Sequence, residues 1–333
     1  MEVRTLGQTG LRIGVIGLGA MPFGSAETPE AERAAIEIVH AVAERQPAGG
    51  RLLIDTAALY GQGRSEALIG KALRERPDLR DRVLVVTKVG RCPREFDYTY
   101  DETMPRIEAS LERLGMERLP LVYIHDAFPD QLATAMGPGG CLEALRKLRD
   151  EGVIEHIGVA INFPENLAPY IETGEFEAAV VPEAFSLLNQ DAEARIFPAA
   201  SRFQMGVTVA TPLEKGLLAA GTAPLRSGAL TYRVRSFSEE CLTHVERIET
   251  LCAAHDVSLL AAGLQYIVRH PQVTAAIPGA DTLEQAMALL DAADEPIPSA
   301  FWGELQPLVR HWDRYEHRRP PRIDEALRAA RAG

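Results

Sequence analysis

The fold of this chain is constrained most by a regular alternation of short apolar runs with longer amphipathic stretches. Several of the short runs are continuously apolar, as strands covered on both faces should be. Eight runs have the length of β-strands: Val15–Leu18, Leu52–Asp55, Val83–Thr87, Leu121–Ile124, Ile157–Val159, Ala178–Val181, Gly206–Val209 and Ala275–Ile277.

The amphipathic stretches have the length and spacing of helices, and together with the strands they make eight strand–helix units. This count favours a closed parallel barrel over an open sheet. We expect Asp101 and Ser238 to cap helices and Gly152 to end one. The predicted helices are Glu30–Arg45, Ser65–Arg74, Asp101–Leu114, Cys141–Glu151, Pro164–Thr173, Ala192–Phe203, Glu239–His255, Leu259–His270 and Leu283–Ala292.

The composition excludes several classes of function. The chain has 333 residues, 46 % apolar and 25 % charged, which is enough to bury a large core without disulfides. A net charge of −12 argues against a nucleic-acid partner. No apolar run is long enough to span a membrane and no signal peptide is visible, so a cytoplasmic location is expected.

The cysteines and histidines carry no metal signature. The four cysteines form no CxxC pair and indicate reduced thiols, and the eight histidines lack an HExxH spacing. We therefore predict no metal site. The oligomeric state stays open, because no heptad or interface pattern stands out.

Polar residues end three consecutive predicted strands. Asp55 ends the second strand, Lys88 follows the third and His125 follows the fourth, while Tyr60 lies five residues beyond Asp55. In a parallel barrel the carboxyl ends of the strands line the active-site face. An ammonium near a tyrosine lowers its pKa from about 10. The pattern predicts a site that moves a proton on a carbonyl or hydroxyl group, with Tyr60 as the acid or base.

Each of these residues also has a plainer interpretation. An aspartate at a strand end often caps the next turn, and a lone lysine or histidine there is often an ion-pair partner or a satisfied polar group. The recurrence on three consecutive strands is what favours the catalytic interpretation.

The sequence resembles the aldo-keto reductase family along nearly its whole length. Each matching stretch is weak alone, but their order makes the combination specific. The stretches are Gly17–Met21, Ile54–Gly61, Gly63–Glu66, Val86–Lys88, Val122–Asp126, Gly158–Asn162, Pro212–Leu218 and Ile277–Ala280.

The resemblance implies a single α/β (β/α)8 TIM barrel over residues 1–333, with a short N-terminal hairpin, a long loop after strand seven and a C-terminal tail. It implies a catalytic tetrad of Asp55, Tyr60, Lys88 and His125, and a nicotinamide cofactor, NAD or NADP, bound without a Rossmann fold. The implied cofactor-binding residues are Gly19, Ala20, Met21, Asp55, Asn162, Thr211, Pro212, Leu213, Gly216, Gly279, Asp281 and Gln285.

Within the family, the runs Leu142–Gly152 and Ile157–Asn162 resemble the branch that contains D-threo-aldose 1-dehydrogenase and L-galactose dehydrogenase. That branch oxidises the anomeric carbon of an aldose to a lactone. The hypothesis is therefore a sugar 1-dehydrogenase. The alternatives are an NADPH-dependent aldehyde or ketone reductase that uses the same four residues, and a non-catalytic binding subunit that keeps the barrel.

The sequence departs from the family pattern at four cofactor positions. Ile161 stands for a serine, Pro182 for a glutamine, Ala210 for the tyrosine that stacks on the nicotinamide, and Asp281 for the arginine of the 2′-phosphate. A carboxylate repels a phosphate and accepts hydrogen bonds from free ribose hydroxyls, so Asp281 favours NAD. Its plainer interpretation is a cap for the helix beginning near Leu283.

The stretch Thr211–Phe237 shows no clear element and contains several glycines and arginines. Loops of this length inside a compact domain are usually functional. We expect it, with the tail after Trp312, to shape the substrate pocket.

Overall fold

The computed structural model of the protein describes residues 1–91, 96–227 and 237–312. Its centre is a sheet of eight parallel strands, which lie side by side in the order in which they occur along the chain. Parallel bridges between Ile16 and Ala276 and between Gly19 and Gly279 join the two ends of this sheet. The predicted (β/α)8 barrel is confirmed. A two-stranded antiparallel hairpin, β1 at Val3–Thr5 and β2 at Arg12–Gly14, precedes it.

The strands lie where the apolar runs predicted them, with one exception. The first barrel strand was predicted at Val15–Leu18 but is the short β3 at Leu18–Gly19. The residues before it contact the barrel through the bridge at Ile16. The glycines at 17 and 19 lie against the backbones of Leu53 and Ile277 and leave no room for side chains. The strands are β1 Val3–Thr5, β2 Arg12–Gly14, β3 Leu18–Gly19, β4 Leu52–Asp55, β5 Val83–Val89, β6 Leu119–His125, β7 Ile154–Ala160, β8 Ala178–Pro182, β9 Gly206–Ala210 and β10 Ala275–Ile277.

Helices cover the outside of the barrel. They are α1 Pro29–Glu44, α2 Arg64–Glu75, α3 Tyr100–Leu114, α4 Leu132–Met136, α5 Cys141–Asp150, α6 Pro164–Glu172, α7 Asp191–Ala194, α8 Ile196–Arg202, α9 Leu217–Ala220, α10 Ala223–Arg226, α11 Glu239–Ala254, α12 Leu259–Val268, α13 Leu283–Asp294 and α14 Ser299–Leu305.

Four details of the helix prediction have a clear outcome. Ser238 caps α11 and Gly152, with φ +75°, follows α5, as predicted. Asp101 was wrong as a cap, because the Thr99 side chain accepts from the Glu102 N–H and α3 already includes Asp101. The single helix predicted over 192–203 is broken at Arg195, whose φ of −140° is not helical.

The barrel interior is filled by side chains. Leu6, Leu11 and Ile13 from the hairpin region pack against the inward residues Leu53 and Leu121 and close the amino-terminal end of the barrel. Gly206 makes this closure possible, because a Cβ there would lie 2.5 Å from the Leu6 side chain. The packed interior leaves the carboxyl end of the strands as the place for a site.

The segment after β9 is more structured than predicted. A 3-10 turn at Glu214–Gly216 and the short helices α9 and α10 occupy its first half. Lys215 (φ +58°) and Gly216 (φ +112°) interrupt the helical geometry, so no periodic pattern was visible in the sequence. The rest of that segment at 228–236, Cys92, and the basic tail residues Arg314, Arg318, Arg319 and Arg322 lie outside the described residues.

Within the described ranges, no single helix is long and apolar enough to cross a membrane, although α11 and α12 pass that test together as a pair bent by 97°. The same ranges contain no cluster of His, Cys, Asp and Glu of the kind that holds a metal ion.

Candidate active site

Alternation along three neighbouring strands brings the polar strand ends into the barrel mouth. Leu53 in β4, Val86 in β5 and Tyr123 in β6 all belong to the interior cluster. Side chains two residues further on point to the same face of a strand. Asp55, Lys88 and His125 therefore form the next layer above the packed interior. All three are nearly fully buried.

Lys88 is the centre of this layer. Its Nζ donates to Asp55 Oδ1 at 2.5 Å, to the Thr56 carbonyl at 2.9 Å and to Tyr60 Oη at 3.1 Å. Burial lowers the pKa of Lys88, but the Asp55 carboxylate and Tyr60 raise it by more, so the ammonium stays charged. Three of the four predicted catalytic residues are therefore in direct contact, with Lys88 between Asp55 and Tyr60.

Tyr60 is fixed by a buried polar network beneath its loop. The hydroxyls of Thr56 and Ser65 are 2.8 Å apart, and Ser65 also donates to the Ala20 carbonyl. Gly61, with φ +61°, lies so close to Gly24 that a Cβ would be 2.2 Å from the Gly24 carbonyl oxygen. The phenol is therefore held against Lys88 by backbone contacts that a larger residue would break.

We expect Gly61→Ala to destabilise the protein and displace Tyr60. Alanine is strained in the left-handed conformation, and its Cβ collides with the Gly24 backbone. We expect a loss of about 1–3 kcal/mol in the free energy of unfolding. Urea unfolding measures it. Gly152→Ala is the matched control, because Gly152 is also left-handed but has open space around its Cβ. Equal losses in the two variants would show that the contact with Gly24 contributes nothing.

The electrostatics of Tyr60 differ from the sequence expectation. The Lys88 charge does lower the pKa of Tyr60, but burial raises it by more and Asp55 adds to that rise. The net pKa lies above the ordinary value of about 10. The expected net lowering was wrong, because the depth at which the phenol is buried cannot be read from the sequence. In the protein without ligand, Tyr60 keeps its proton at neutral pH.

His125 faces Tyr60 across the mouth. The two rings meet edge to face with centroids 6.0 Å apart. Burial, with smaller effects of Lys88 and Arg91, lowers the pKa of His125 to about 3, against the opposing charge of Asp126. The imidazole is therefore neutral and carries one N–H. A neutral imidazole can donate one hydrogen bond to a substrate oxygen without delivering a charge.

Several of the predicted cofactor residues lie near the carboxyl ends of the strands and offer mainly backbone groups. Ala20 is fully buried and its N–H donates to the Asp55 carbonyl, while Met21 beside it is 49 % exposed. Leu213 is buried, and its side chain lies against Gly263 of α12. The Gly19–Gly279 bridge and the left-handed Thr211 and Gly216 line the strand ends. The residue types agree with such a ligand, because a dinucleotide can contact backbone groups here and the buried Asp55 Oδ2 has no hydrogen-bond partner among the described residues.

The start of α13 corrects one interpretation of Asp281. Thr282, not Asp281, is the N-cap, since its hydroxyl accepts from the Gln285 N–H. The Gln285 amide oxygen accepts from the Asp281 N–H at 2.8 Å, so Gln285 supports the same helix start. Asp281 is exposed. The proposed cap role is wrong, and the carboxylate lies on the surface at a helix N-terminus.

Asp126 and its partner Arg91 border the site, and the sequence analysis assigned neither of them a role. Asp126 directly follows His125, is buried and has a left-handed φ of +49°. Its carboxylate accepts from Arg91 and from the backbone and side chain of Asn162. The sequence does carry a signal for Asp126, because an acidic residue directly follows the end of a predicted strand. The sequence analysis includes it only as the last residue of the family stretch Val122–Asp126.

The family model described as "Aldo/keto reductase family" matches residues 15–310. A pyridoxal 4-dehydrogenase from Microbacterium luteolum is 28% identical, over 92% of this chain and 96% of that protein. A D-threo-aldose 1-dehydrogenase from a Pseudomonas species is also 28% identical, over 89% and 94%. An aldo-keto reductase from Klebsiella pneumoniae, solved in complex with NADPH, superposes with a TM-score of 0.70 at 22% identity, covering 96% of this chain and 99% of that one.

Proposed function

The chain belongs to the aldo/keto reductase family and is an NAD(P)-dependent oxidoreductase, and from that premise we propose that it oxidises an aldose at C1 to a lactone. The observation that carries the proposal is the contact of Lys88 Nζ with both Asp55 and Tyr60 at the barrel mouth. The similarity to a D-threo-aldose 1-dehydrogenase supports the substrate class.

The chemistry assigned to the residues is a paired loss of hydride and proton. Tyr60 accepts the proton of the anomeric hydroxyl, and Lys88 stabilises the phenolate that exists before that transfer. The neutral His125 donates a hydrogen bond to the same substrate oxygen and orients it. As the C1–H bond breaks, C1 and its oxygen form the lactone carbonyl. When bound, the nicotinamide supplies the hydride acceptor at its C4.

The second candidate is an NADPH-dependent aldehyde or ketone reductase. One observation favours it: burial keeps Tyr60 protonated, which is the form that gives a proton to a carbonyl oxygen. The same four residues serve both directions. The third alternative, a non-catalytic barrel subunit, leaves the buried Lys88–Asp55–Tyr60 cluster without a purpose.

Turnover with a panel of substrates separates these functions. Aldoses, pyridoxal and simple aldehydes and ketones are each tested in both directions with NAD and NADP. Pyridoxal belongs in the panel because one relative is named for it, and like an aldose it joins an aldehyde to a nearby hydroxyl. Lactone formation from an aldose is the expected result. Turnover of simple carbonyls alone would establish the reductase, and no turnover with any pair would establish the binding subunit.

We further propose that NAD is preferred over NADP. A 2′-phosphate is usually met by arginine or lysine, and Asp281 instead places an exposed carboxylate before α13. The Klebsiella structure was solved with NADPH, so a protein of this fold can also hold the 2′-phosphate.

Asp281→Arg is expected to shift the ratio of kcat/KM for NADP over NAD upward by about 10-fold or more, since a charge-assisted contact to phosphate is worth roughly 1.5–3 kcal/mol. Glu108→Arg on α3 is the control, because it makes the same change of net charge on an exposed helix elsewhere. A wild type that favours NADP, or an unchanged ratio in Asp281→Arg, would refute this role.

A further inference from the structure

Glu66 is a buried carboxylate that the proposed chemistry does not use. It lies in the first turn of α2, and its side chain is 0 % exposed. Its Oε1 accepts from the Thr87 hydroxyl at 2.5 Å. Its Oε2 accepts from Arg113 Nε at 2.7 Å, and Arg113 Nη2 lies 2.7 Å from the same oxygen. This one carboxylate therefore connects α2 to β5 on one side and to α3 on the other.

Thr87 directly precedes Lys88 on β5. Side chains alternate along a strand, so Lys88 points into the barrel mouth while Thr87 points outward to the helices. In the part of the chain that the structure describes, the bond from Thr87 to Glu66 is the one side-chain hydrogen bond between β5 and α2. The strand that carries Lys88 is thus attached to α2 at the residue next to it.

The start of α2 also holds the loop of Tyr60. The Ser65 N–H donates to the Tyr60 carbonyl, one residue before Glu66. The Arg113 side chain packs on Gly63, the last residue of this loop, where a Cβ would lie 2.6 Å from Arg113 Cδ and Nε. The ion pair between Glu66 and Arg113 therefore encloses the end of the Tyr60 loop.

A buried ion pair often stabilises a fold no more than apolar side chains of the same size would. What it can add is direction, because each donor must meet an acceptor. Here it connects the two segments whose side chains have to meet, since Lys88 Nζ lies 3.1 Å from Tyr60 Oη. An apolar residue in place of Glu66 would keep the volume and lose both connections.

We propose that Glu66 is a positioning residue that sets the distance between Lys88 and Tyr60. It acts through Thr87 on the strand of Lys88 and through the start of α2 on the loop of Tyr60, while Arg113 holds the carboxylate in place. The consequence for turnover rests on the proposed function, because it requires Tyr60 to transfer the proton. The distance itself does not depend on that function.

Thr87→Val tests the connection to β5, because it removes the hydroxyl and keeps the β-branched shape. We expect kcat to fall about 10-fold, since a misplacement of about 1 Å can cost about 10²-fold. The KM values for dinucleotide and substrate should stay within about twofold. The Lys88 charge lowers the pKa of Tyr60, so a longer separation should move the rising limb of oxidation to higher pH.

Crystal structures of the variants give a readout that needs no turnover. In Thr87→Val the distance from Lys88 Nζ to Tyr60 Oη should lengthen from 3.1 Å to more than about 3.5 Å, beyond hydrogen-bond range. Glu66→Leu breaks both connections and should lengthen it as well. Glu66→Gln should keep the wild-type distance, because its amide oxygen can accept from Arg113 while its NH2 donates to the Thr87 hydroxyl.

Thr103→Val is the matched control. Thr103 is buried in α3, and its hydroxyl donates to the Thr99 carbonyl at the start of the same helix. The control loses a buried hydroxyl of the same kind and should lose stability in urea. It should nevertheless keep the wild-type kcat, pH profile and distance from Lys88 to Tyr60, which a purely structural role of Thr87 would also leave unchanged.

An unchanged distance in Thr87→Val and Glu66→Leu would overturn the inference, and so would a distance in Glu66→Gln as long as that in Glu66→Leu. If Glu66→Leu fails to fold, Thr87→Val decides alone. A longer distance with an unchanged kcat would support the inference and remove Tyr60 from the proposed mechanism. A wild type without turnover would overturn the proposed function, while the distances would still decide the inference.

Discussion

Tyr60→Phe is expected to reduce turnover about 10²- to 10⁴-fold, the usual cost of removing a general acid or base. The phenol oxygen is the only heavy atom that this substitution removes, and it lies 3.1 Å from Lys88 Nζ. The ring remains, along with its edge-to-face contact with His125. The Kd for the dinucleotide should stay within about twofold, because no positioned cofactor contact is removed.

Tyr266→Phe is the control for this substitution. Tyr266 lies in α12, outside the barrel mouth, where its ring stacks on Phe185. The substitution removes the same hydroxyl group as Tyr60→Phe. It should keep full activity. Full activity in purified Tyr60→Phe would remove Tyr60 from the mechanism, and a large rise in the dinucleotide Kd would show that the variant disturbs binding instead of proton transfer.

Lys88→Met is expected to be nearly inactive in the oxidative direction, by about 10²-fold or more. The base form of Tyr60 is the phenolate, and the Lys88 charge is what opposes the rise that burial imposes on its pKa. Without that charge the pKa rises further. The limb of the pH profile on which oxidation increases with pH should therefore move to higher pH, while reduction, which needs the phenol, continues at neutral pH.

The same substitution tests the ion pair with Asp55. It leaves a buried carboxylate without its cation, and breaking such a pair typically costs about 3–5 kcal/mol of stability. Unfolding in urea measures this loss, and Lys71→Met on the exposed face of α2 is the control. A wild-type pH profile with no ionisation that moves in Lys88→Met would show that Lys88 and Tyr60 are not coupled.

The raised pKa of Tyr60 gives the two directions different pH dependences. Below its pKa, the phenolate fraction grows tenfold with each pH unit, so oxidation should accelerate as pH rises from 7. Reduction should stay level until the phenol loses its proton. His125, with a pKa of about 3, does not titrate between pH 7 and the pKa of Tyr60.

The sequence alone determined the barrel and the residues at its mouth. Continuous apolar runs identified the strands, and the polar residues at three consecutive strand ends placed Asp55, Lys88 and His125 at the carboxyl face of the barrel. Both are local properties of the chain. The first strand was misplaced because Ile16 makes only an isolated bridge, to Ala276, and regular pairing begins at Leu18.

Only the tertiary structure decided how the mouth is charged and oriented. The pKa of Tyr60 depends on burial by distant segments, and the role of Asp281 depended on Thr282 already capping α13. The contact between Asp126 and Asn162 joins residues 36 positions apart. These effects arise from desolvation and from hydrogen bonds between separate strand ends, and such distances are set when the barrel closes and not by the order of residues along the chain.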